Sequence, residues 1–459
     1  MGNKVLRWNV TDHCNFNCSY CAYPLEHRAV HPTGELRTDE IEATVEKLAR
    51  GGVKEVMFLG GEPTTRKDLP NIIRLLQDKG IQSGIVTNGS LLTDDLINRL
   101  VDAGLSKANV SLDGSTAATN NITKRAKSAR FQACGLYDRI LTSLRTLANT
   151  GRVHVNINTV VTKSNAADVA NMVDLAADFG VHMVTFLREI AHRNDPRPFG
   201  DFLTPQEHLN LAIAINTRAI ARRGSTEVSC KFLRPLAIDS LKRDVKDLAI
   251  TGFDEPCSAG ILTGILLSDG RLVPCELFSS AFPTVLRYFG FDESDTNLRD
   301  HSLLEVWNGP LFRRAFETVT SDMLWHYKPC GRCPHLAKDC TPCPPKEIVT
   351  GTWIGDDICA AVAGDVLPQS GSIWTPADGI RWNSSSSETV VFNPSAGESF
   401  SLTGDTAFLW SLVVRGFSDT EIAAFLKEEH PDLDFTEVLA QVHEFTEASA
   451  AAGLVKNEA

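Results

Sequence analysis

The sequence predicts an α/β protein: a partial (β/α)6 barrel of the TIM type, then a cysteine-rich domain, then a small α+β winged-helix-like module. Three observations carry this. Strand-like and helical patterns alternate from Lys4 to about Leu187. Ten of the 12 cysteines fall in two groups, Cys14 to Cys21 and Cys257 to Cys359. From Trp374 onward there are 4 Lys/Arg against 14 Asp/Glu, a net of −10 within a chain whose total is −12. These transitions divide the 459 residues into an expected barrel over 1–225, a cysteine-rich domain over 226–365 and a C-terminal module over 374–459.

The bulk composition excludes several classes. With 43% hydrophobic and 22% charged residues the chain has a globular composition. No run of about 18 apolar residues is present, so no membrane span is expected. The start, Met1-Gly2-Asn3-Lys4, passes directly into a strand-like run. Neither a signal peptide nor, with Leu at position 6, a myristoylation pattern is read there, and a cytoplasmic location is expected. Twelve cysteines in that setting point to metal rather than disulfides. The acidic balance argues against nucleic acid.

Strand-like runs are Val5–Val10, Glu55–Leu59, Ser83–Thr87, Ala108–Leu112, Val153–Val161 and His182–Leu187. Helical patterns lie near 39–50, 69–79, 93–103, 136–149 and 166–179. Repeated βα units imply a parallel sheet with helices outside, and six units suffice for an open barrel. Chemistry in such folds gathers at the C-terminal strand ends, and each candidate motif falls at one. Residues 115–135 lack a clear period and read as a mobile loop over the barrel mouth, with Cys134 unpartnered.

After the first run comes Cys14-x3-Cys18-x2-Cys21. Three thiols so close hold either an iron–sulfur cluster with one iron open or a zinc knuckle completed by His13 or a distant residue. After the second run comes Gly60-Gly61-Glu62-Pro63: glycines for a close approach and a carboxylate suited to an ammonium, or simply a tight turn. Together, with Tyr20 before the third thiol, these motifs resemble the radical S-adenosylmethionine (SAM) superfamily. The resemblance implies a SAM-binding 4Fe–4S cluster on Cys14, Cys18 and Cys21, with Gly60, Gly61 and Glu62 at the SAM amino group. It also implies SAM contacts from Tyr20, Asn88, Ser111, Asn158 and Leu187, each of which would otherwise be a turn or core residue.

The second group reads Cys257-x12-Gly270-x4-Cys275, then Cys330-x2-Cys333-x6-Cys340-x2-Cys343, then Cys359, with a hairpin turning at Asp269-Gly270. A zinc ribbon would use the paired thiols similarly. The pattern resembles the SPASM extension of peptide-modifying radical SAM enzymes, with Cys340 displaced by one residue from the usual spacing. By that resemblance Cys330, Cys333, Cys340 and Cys359 hold one auxiliary 4Fe–4S cluster. Cys257, Cys275 and Cys343 hold the other, with Cys230 a remote fourth candidate. That makes three clusters in all. Glu276, next to Cys275, stands where sulfatase-maturing relatives carry a proposed base; otherwise it is a solvated carboxylate.

In the tail, Gly379–Asn383, Glu388–Asn393 and Glu398–Leu402 read as strands, and Asp405–Val414, Asp419–His430 and Thr436–Ala451 as helices. Ser418 with Glu421 forms a capping-box pattern. The residues Val390-Val391-Phe392-Asn393-Pro394, Leu402 to Trp410, Thr420-Glu421-Ile422 and Gly453-Leu454-Val455 resemble the RiPP recognition element (RiPP: ribosomally made, post-translationally modified peptide), the PqqD-like leader-binding domain. That resemblance implies leader capture as an added strand at Glu398–Leu402 beside Thr436–Ala451, favouring a leader with basic residues.

Taken together, the resemblances imply a radical SAM enzyme that matures a ribosomal precursor peptide. A 5′-deoxyadenosyl radical would abstract hydrogen, with thioether or carbon–carbon crosslinking as the expected outcome and a flavodoxin or ferredoxin as reductant. Two other readings stand beside it. One is a SPASM enzyme acting on a small molecule or folded protein, like the sulfatase maturases. The other is a non-enzymatic zinc-bound peptide adaptor.

Overall fold

The computed structural model describes residues 3–21, 34–128, 132, 135–189, 202–279, 282–290, 295–320, 324, 329–346, 356–366, 374–384, 388–414, 417–429 and 434–457. Cys134 and most of the expected linker before 374 lie outside them. The chain forms two compact units. The first comprises 1–321 with 339–353, and the second 322–338 with 354–459.

The first unit is organised by one nine-stranded sheet. Its strands are β1 (Lys4–Thr11), β2 (Val53–Gly60), β3 (Gln82–Thr87), β4 (Leu105–Ser111), β5 (His154–Val161), β6 (Met183–Arg188), β7 (Glu227–Cys230), β8 (Thr263–Leu266) and β9 (Leu272–Val273), in the order β7-β6-β5-β4-β3-β2-β1-β8-β9. Strands β1 to β7 are mutually parallel neighbours. Helices over Thr38–Arg50, Leu69–Asp78, Asp94–Asp102, Leu136–Asn149 and Asn171–Asp178 provide the crossovers. This is a TIM-like partial barrel. Every parallel connection needs such a crossover, and the outward residues are the apolar ones. Val56, Phe58, Ile85, Val110, Ile157, Val184 and Phe186 are all fully buried.

Strand alternation sends the intervening residues to the concave face. Arg7, Met57, Gly84 and Lys107 are neighbours in register. A Cβ on Gly84 would touch both Met57 and the Lys107 Cβ, so these side chains share a face. Leu6 faces the other way: a Cβ on Gly264 would meet Leu6, Trp307 and Phe312 on the helical side.

Three features differ from the sequence expectation. A seventh parallel strand, β7, extends the expected six; at four residues it is too short to show a period. The span 115–135 contains a helix, Ala117–Thr123, with a Thr116 cap whose hydroxyl accepts from the Thr119 N–H, and its following residues are pinned to the cysteine loop, as described below. The Asp269-Gly270 hairpin forms as expected, with Gly270 at φ +89°. Its first strand, however, pairs in parallel with β1, so the hairpin extends the barrel sheet rather than standing apart.

The second unit holds β11 (Arg381–Ser384), β12 (Glu388–Asn393) and β13 (Glu398–Thr403) as an antiparallel sheet with β13 at one edge. Helices follow at Asp405–Val413, Asp419–Glu429 and Phe435–Ala451. A ribbon of β10 (Trp374–Pro376) and β14 (Val455–Asn457), not foreseen from sequence, pairs the two ends of the module. Val391, Trp410, Leu412, Val413, Ile422, Val438 and Val442 form the core. Both halves of the Ser418–Glu421 capping box are made.

Candidate active site

The cysteine loop begins where β1 ends and lies against the glycines ending β2. The Gly61 N–H donates to Thr11 O at 2.8 Å, and the Glu62 N–H to His13 O at 2.7 Å. A Cβ on Gly60 would stand 2.2 Å from Thr11 O, and one on Gly61 2.3 Å from His13 O. Gly60 also holds φ +126°, which side chains disfavour. The close approach these glycines allow is therefore that of the cysteine loop's own backbone.

The far side of the loop is clamped by residues 123–127. The Asn17 N–H donates to Arg125 O at 2.7 Å, the Ser19 N–H to Thr123 O at 3.0 Å, and the Lys127 N–H to Asn15 O at 2.9 Å, around a Phe16–Ala126 bridge. These bonds give the described part of the expected mobile loop a fixed place. Burial raises the Cys14 thiol; the Phe16 N–H, 3.4 Å from its sulfur, and the Lys127 and Lys124 ammoniums pull it down. Burial also raises Cys18, again against Lys124. Three soft donors, an N–H on sulfur and nearby cations fit a thiolate-ligated iron–sulfur cluster, which needs its thiols deprotonated and its negative charge balanced.

Glu62 is 1% exposed. One carboxylate oxygen accepts from the Thr64 N–H at 3.1 Å, the Thr64 hydroxyl, and the Thr87 hydroxyl at 2.6 Å; among the described residues the other accepts one bond, from the Asn88 N–H at 2.7 Å. Burial raises its carboxyl, and these donors work against that. The second oxygen keeps acceptor capacity for an ammonium. The Asn88 side chain donates to Asn15 at 2.9 Å, tying the end of β3 to the cysteine loop.

Two residues that sequence reasoning passed over join this site. Asp113 is fully buried and accepts from the Tyr20 hydroxyl at 2.8 Å, the Thr123 hydroxyl at 2.9 Å and the Val160 N–H at 3.0 Å. Lys124, 3% exposed, lies 3.7 Å from Asp113. Burial alone would lower its ammonium, but Asp113, Cys18, Cys21 and Glu62 outweigh that and raise it. Burial and Asp113 hold the Tyr20 phenol well above its usual value. Asp113 stood one residue beyond the Ser111-Leu112 strand end and had a positional signal; nothing near Lys124 in sequence marked it as buried.

Ser111 and Asn158 are partners in register, and Asn158 accepts from Asn156 at 2.9 Å. Leu187 lies half-buried near the end of β6. All three belong to the C-terminal half of the sheet, on the side carrying the cysteine loop.

The hairpin brings a second thiol set together. Cys275 and Cys343 are each raised mainly by burial, Cys343 to about 11, and the charges of Cys275, Cys343 and Cys257 act on one another. The Cys257 N–H donates to the Thr341 hydroxyl at 3.2 Å. Burial alone raises the fully buried Cys230 thiol. Cys330 and Cys333 bracket a single 3-10 turn in the second unit, where the Cys333 N–H donates to Cys330 O at 2.9 Å; Cys359 lies in the helix Asp357–Val366. Cys340 belongs to the first unit. Among the described residues no three His, Cys, Asp or Glu side chains converge as a single-ion site. The Glu276 side chain reaches solvent by surface area yet has protein around it at longer range. The surrounding protein raises its carboxyl, and Arg7 is the charge opposing the rise.

Residues 8–176 match the Radical SAM superfamily model, and residues 257–334 match SPASM, the iron-sulfur cluster-binding domain. Fe-coproporphyrin III synthase of Methanosarcina barkeri is 25% identical over 314 residues, covering 66% of this chain and 73% of that protein. PqqA peptide cyclase of Gluconobacter oxydans is 28% identical over 342 residues, covering 73% and 83%. The fold matches Streptococcus suis SuiB bound to its precursor peptide SuiA, with TM-score 0.57 and 18% identity over 78% of this chain and 76% of that one. A Radical SAM domain and a SPASM domain are present, and with them SAM and iron–sulfur binding. No described helix is long and apolar enough to cross a membrane.

Proposed function

We propose that this chain, a Radical SAM domain followed by a SPASM domain, is a maturase that modifies a ribosomally made precursor peptide by radical chemistry. The observation that carries the reading is the position of both thiol sites on β1. The cysteine loop leaves its C-terminal end, and the hairpin bearing Cys275 and Glu276 pairs with its edge. In this reading a substrate in the barrel lies between the cysteine loop, at the C-terminal end of β1, and Cys275, which follows the antiparallel return of β9. PqqA peptide cyclase, a relative over most of its length, supports a peptide substrate; the porphyrin-processing relative keeps a small molecule as the competing class.

In this reading Cys14, Cys18 and Cys21 hold a 4Fe–4S cluster that supplies reductive SAM cleavage when bound. Glu62 offers its second oxygen to the SAM amino group beside Gly60 and Gly61. Asn88 fixes the loop from β3, and Tyr20, Ser111, Asn158 and Leu187 border the remainder of SAM. Cys257, Cys275 and Cys343 hold one auxiliary cluster, and Cys330, Cys333, Cys340 and Cys359 supply ligands for a second. Glu276 accepts a proton from the substrate, and crosslink formation is the expected outcome. A flavodoxin or ferredoxin serves as reductant. The C-terminal module acts as a RiPP recognition element: the open edge of β13 takes the leader as a further strand, beside Phe435–Ala451. Its net charge of −10 favours a leader with basic residues. Tethering raises the effective concentration of the core peptide at the barrel.

The test is iron and sulfide content, with SAM cleavage, of anaerobically reconstituted protein and of the Cys14/Cys18/Cys21→Ala triple variant. About twelve irons falling to about eight, with loss of 5′-deoxyadenosine, is the expected result. Zinc with little iron overturns the radical reading in favour of the peptide adaptor.

A further inference from the structure

Inside the barrel, β1 carries two hydrogen-bond donors without acceptors. Asn9 is 3% exposed, and among the described residues its Nδ2 has no hydrogen-bond partner. Native proteins rarely leave a buried donor unpaired without reason. Two residues earlier, on the same face of the strand, stands Arg7. It is exposed, and among the described residues it makes no ion pair or hydrogen bond. The charge that acts on it is Glu276, across from the hairpin.

The contrast lies three strands away on the same concave face. Lys107, in register with Gly84 and through it with Met57 and Arg7, is neutralised by both oxygens of Glu55 at 2.7 and 2.8 Å. One cation of this tier is therefore held in contact by a carboxylate of the protein, while the other, among the described residues, feels the charge of Glu276 without an ion-pair contact. A guanidinium presents a planar fork that matches a carboxylate, and an amide N–H beside it completes an anion-binding pair. Arg7 is level with Met57, five residues before Glu62, and so lies deeper in the barrel than the Gly60–Glu62 turn.

We propose that Arg7 and Asn9 form a carboxylate-binding subsite that seats an acidic side chain of the peptide substrate within the barrel; this rests on the peptide-maturase reading. SAM also carries a carboxylate, so the test separates the two sources. Reconstituted protein is treated with phenylglyoxal, and adduct formation at Arg7 is followed by mass spectrometry, with exposed Arg50 as internal control. The probes are acetyl-Gly-Glu-Gly-amide, its Gln counterpart, and SAM.

The expected result is adduct formation at Arg7 about tenfold slower with Glu tripeptide at about nine times its Kd, where about one site in ten is free. The Gln tripeptide leaves Arg7 unchanged, Arg50 is unaffected throughout, and the protection is lost in Asn9→Asp. Protection by SAM but not by the Glu tripeptide assigns the pair to the cofactor and overturns the proposal. Equal protection by Glu and Gln tripeptides, no protection, or parallel protection of Arg50 overturns it as well. The readout needs no turnover, so it succeeds or fails independently of the iron and SAM-cleavage assay.

Discussion

Two carboxylates of the first unit, Glu62 after β2 and Glu276 after β9, share a direction of pKa shift and differ in everything that surrounds them. Glu62 is sealed from water and takes four hydrogen bonds from Thr64, Thr87 and Asn88. Glu276 reaches solvent and, among the described residues, is balanced by the charge of Arg7. A carboxylate fixed by that many donors is a structural anchor that presents one lone pair in one direction. A carboxylate with a single distant cation is free to change its protonation and its position. The same residue type is thus held by hydrogen bonds in one region and left exposed in the other.

Variants break or sharpen that contrast, beginning with the largest effect. Replacing Cys14, Cys18 and Cys21 together by Ala abolishes 5′-deoxyadenosine formation and removes about four irons per chain, read by iron analysis and chromatography. Glu276→Gln leaves SAM cleavage and thermal stability unchanged but lowers peptide modification by about 10²–10⁴-fold, the range for losing a general base. If modification persists, Glu276 is only a wall of the barrel. Glu62→Gln behaves oppositely: it loses about 2–3 kcal/mol of stability in denaturant titration, because buried donors lose a charged acceptor, and SAM binding weakens with it. Gly61→Ala costs about 1–3 kcal/mol through overpacking against His13 O, which must move for a Cβ to fit; iron retention is reduced because the cysteine loop shifts. The smallest effect belongs to Ser401→Pro on β13. It removes one N–H from the open edge and weakens binding of a leader peptide by about tenfold, about one lost hydrogen bond, while SAM cleavage without leader is unchanged.

Much of this architecture was legible because it is periodic or closely spaced. The alternation of outward Val, Ile and Phe with inward polar residues announces β1 to β6, and Cys14, Cys18 and Cys21 declare themselves by spacing. What escaped was set by tertiary pairing. The antiparallel clamp of 123–127 on the cysteine loop has no local pattern, so the span read as mobile. Lys124 is a surface-type residue whose burial depends on Asp113, 11 positions away. The glycines of Gly60-Gly61 were legible as a close approach, but the partner in that approach, Thr11 and His13, lies some fifty residues earlier. β7 is too short to signal itself, and nothing in Thr263–Leu266 reveals that its neighbour is β1.

That last pairing has a bearing on how the chain is made. Strand β1, at residues 4–11, is flanked by β2 on one side and by β8 on the other. Some 260 residues must leave the ribosome before its second neighbour exists. Until then a strand containing Val5, Leu6, Trp8 and Val10 carries an open row of N–H and C=O groups, the kind of edge that recruits other chains. Long-range closure of this sort also slows folding. The SPASM hairpin is thus a protective flank for the barrel as well as a carrier of thiols. Expression of residues 1–255 alone, which keeps β7 but ends before the hairpin, should yield aggregated protein, whereas a chain extended past Val273 should not.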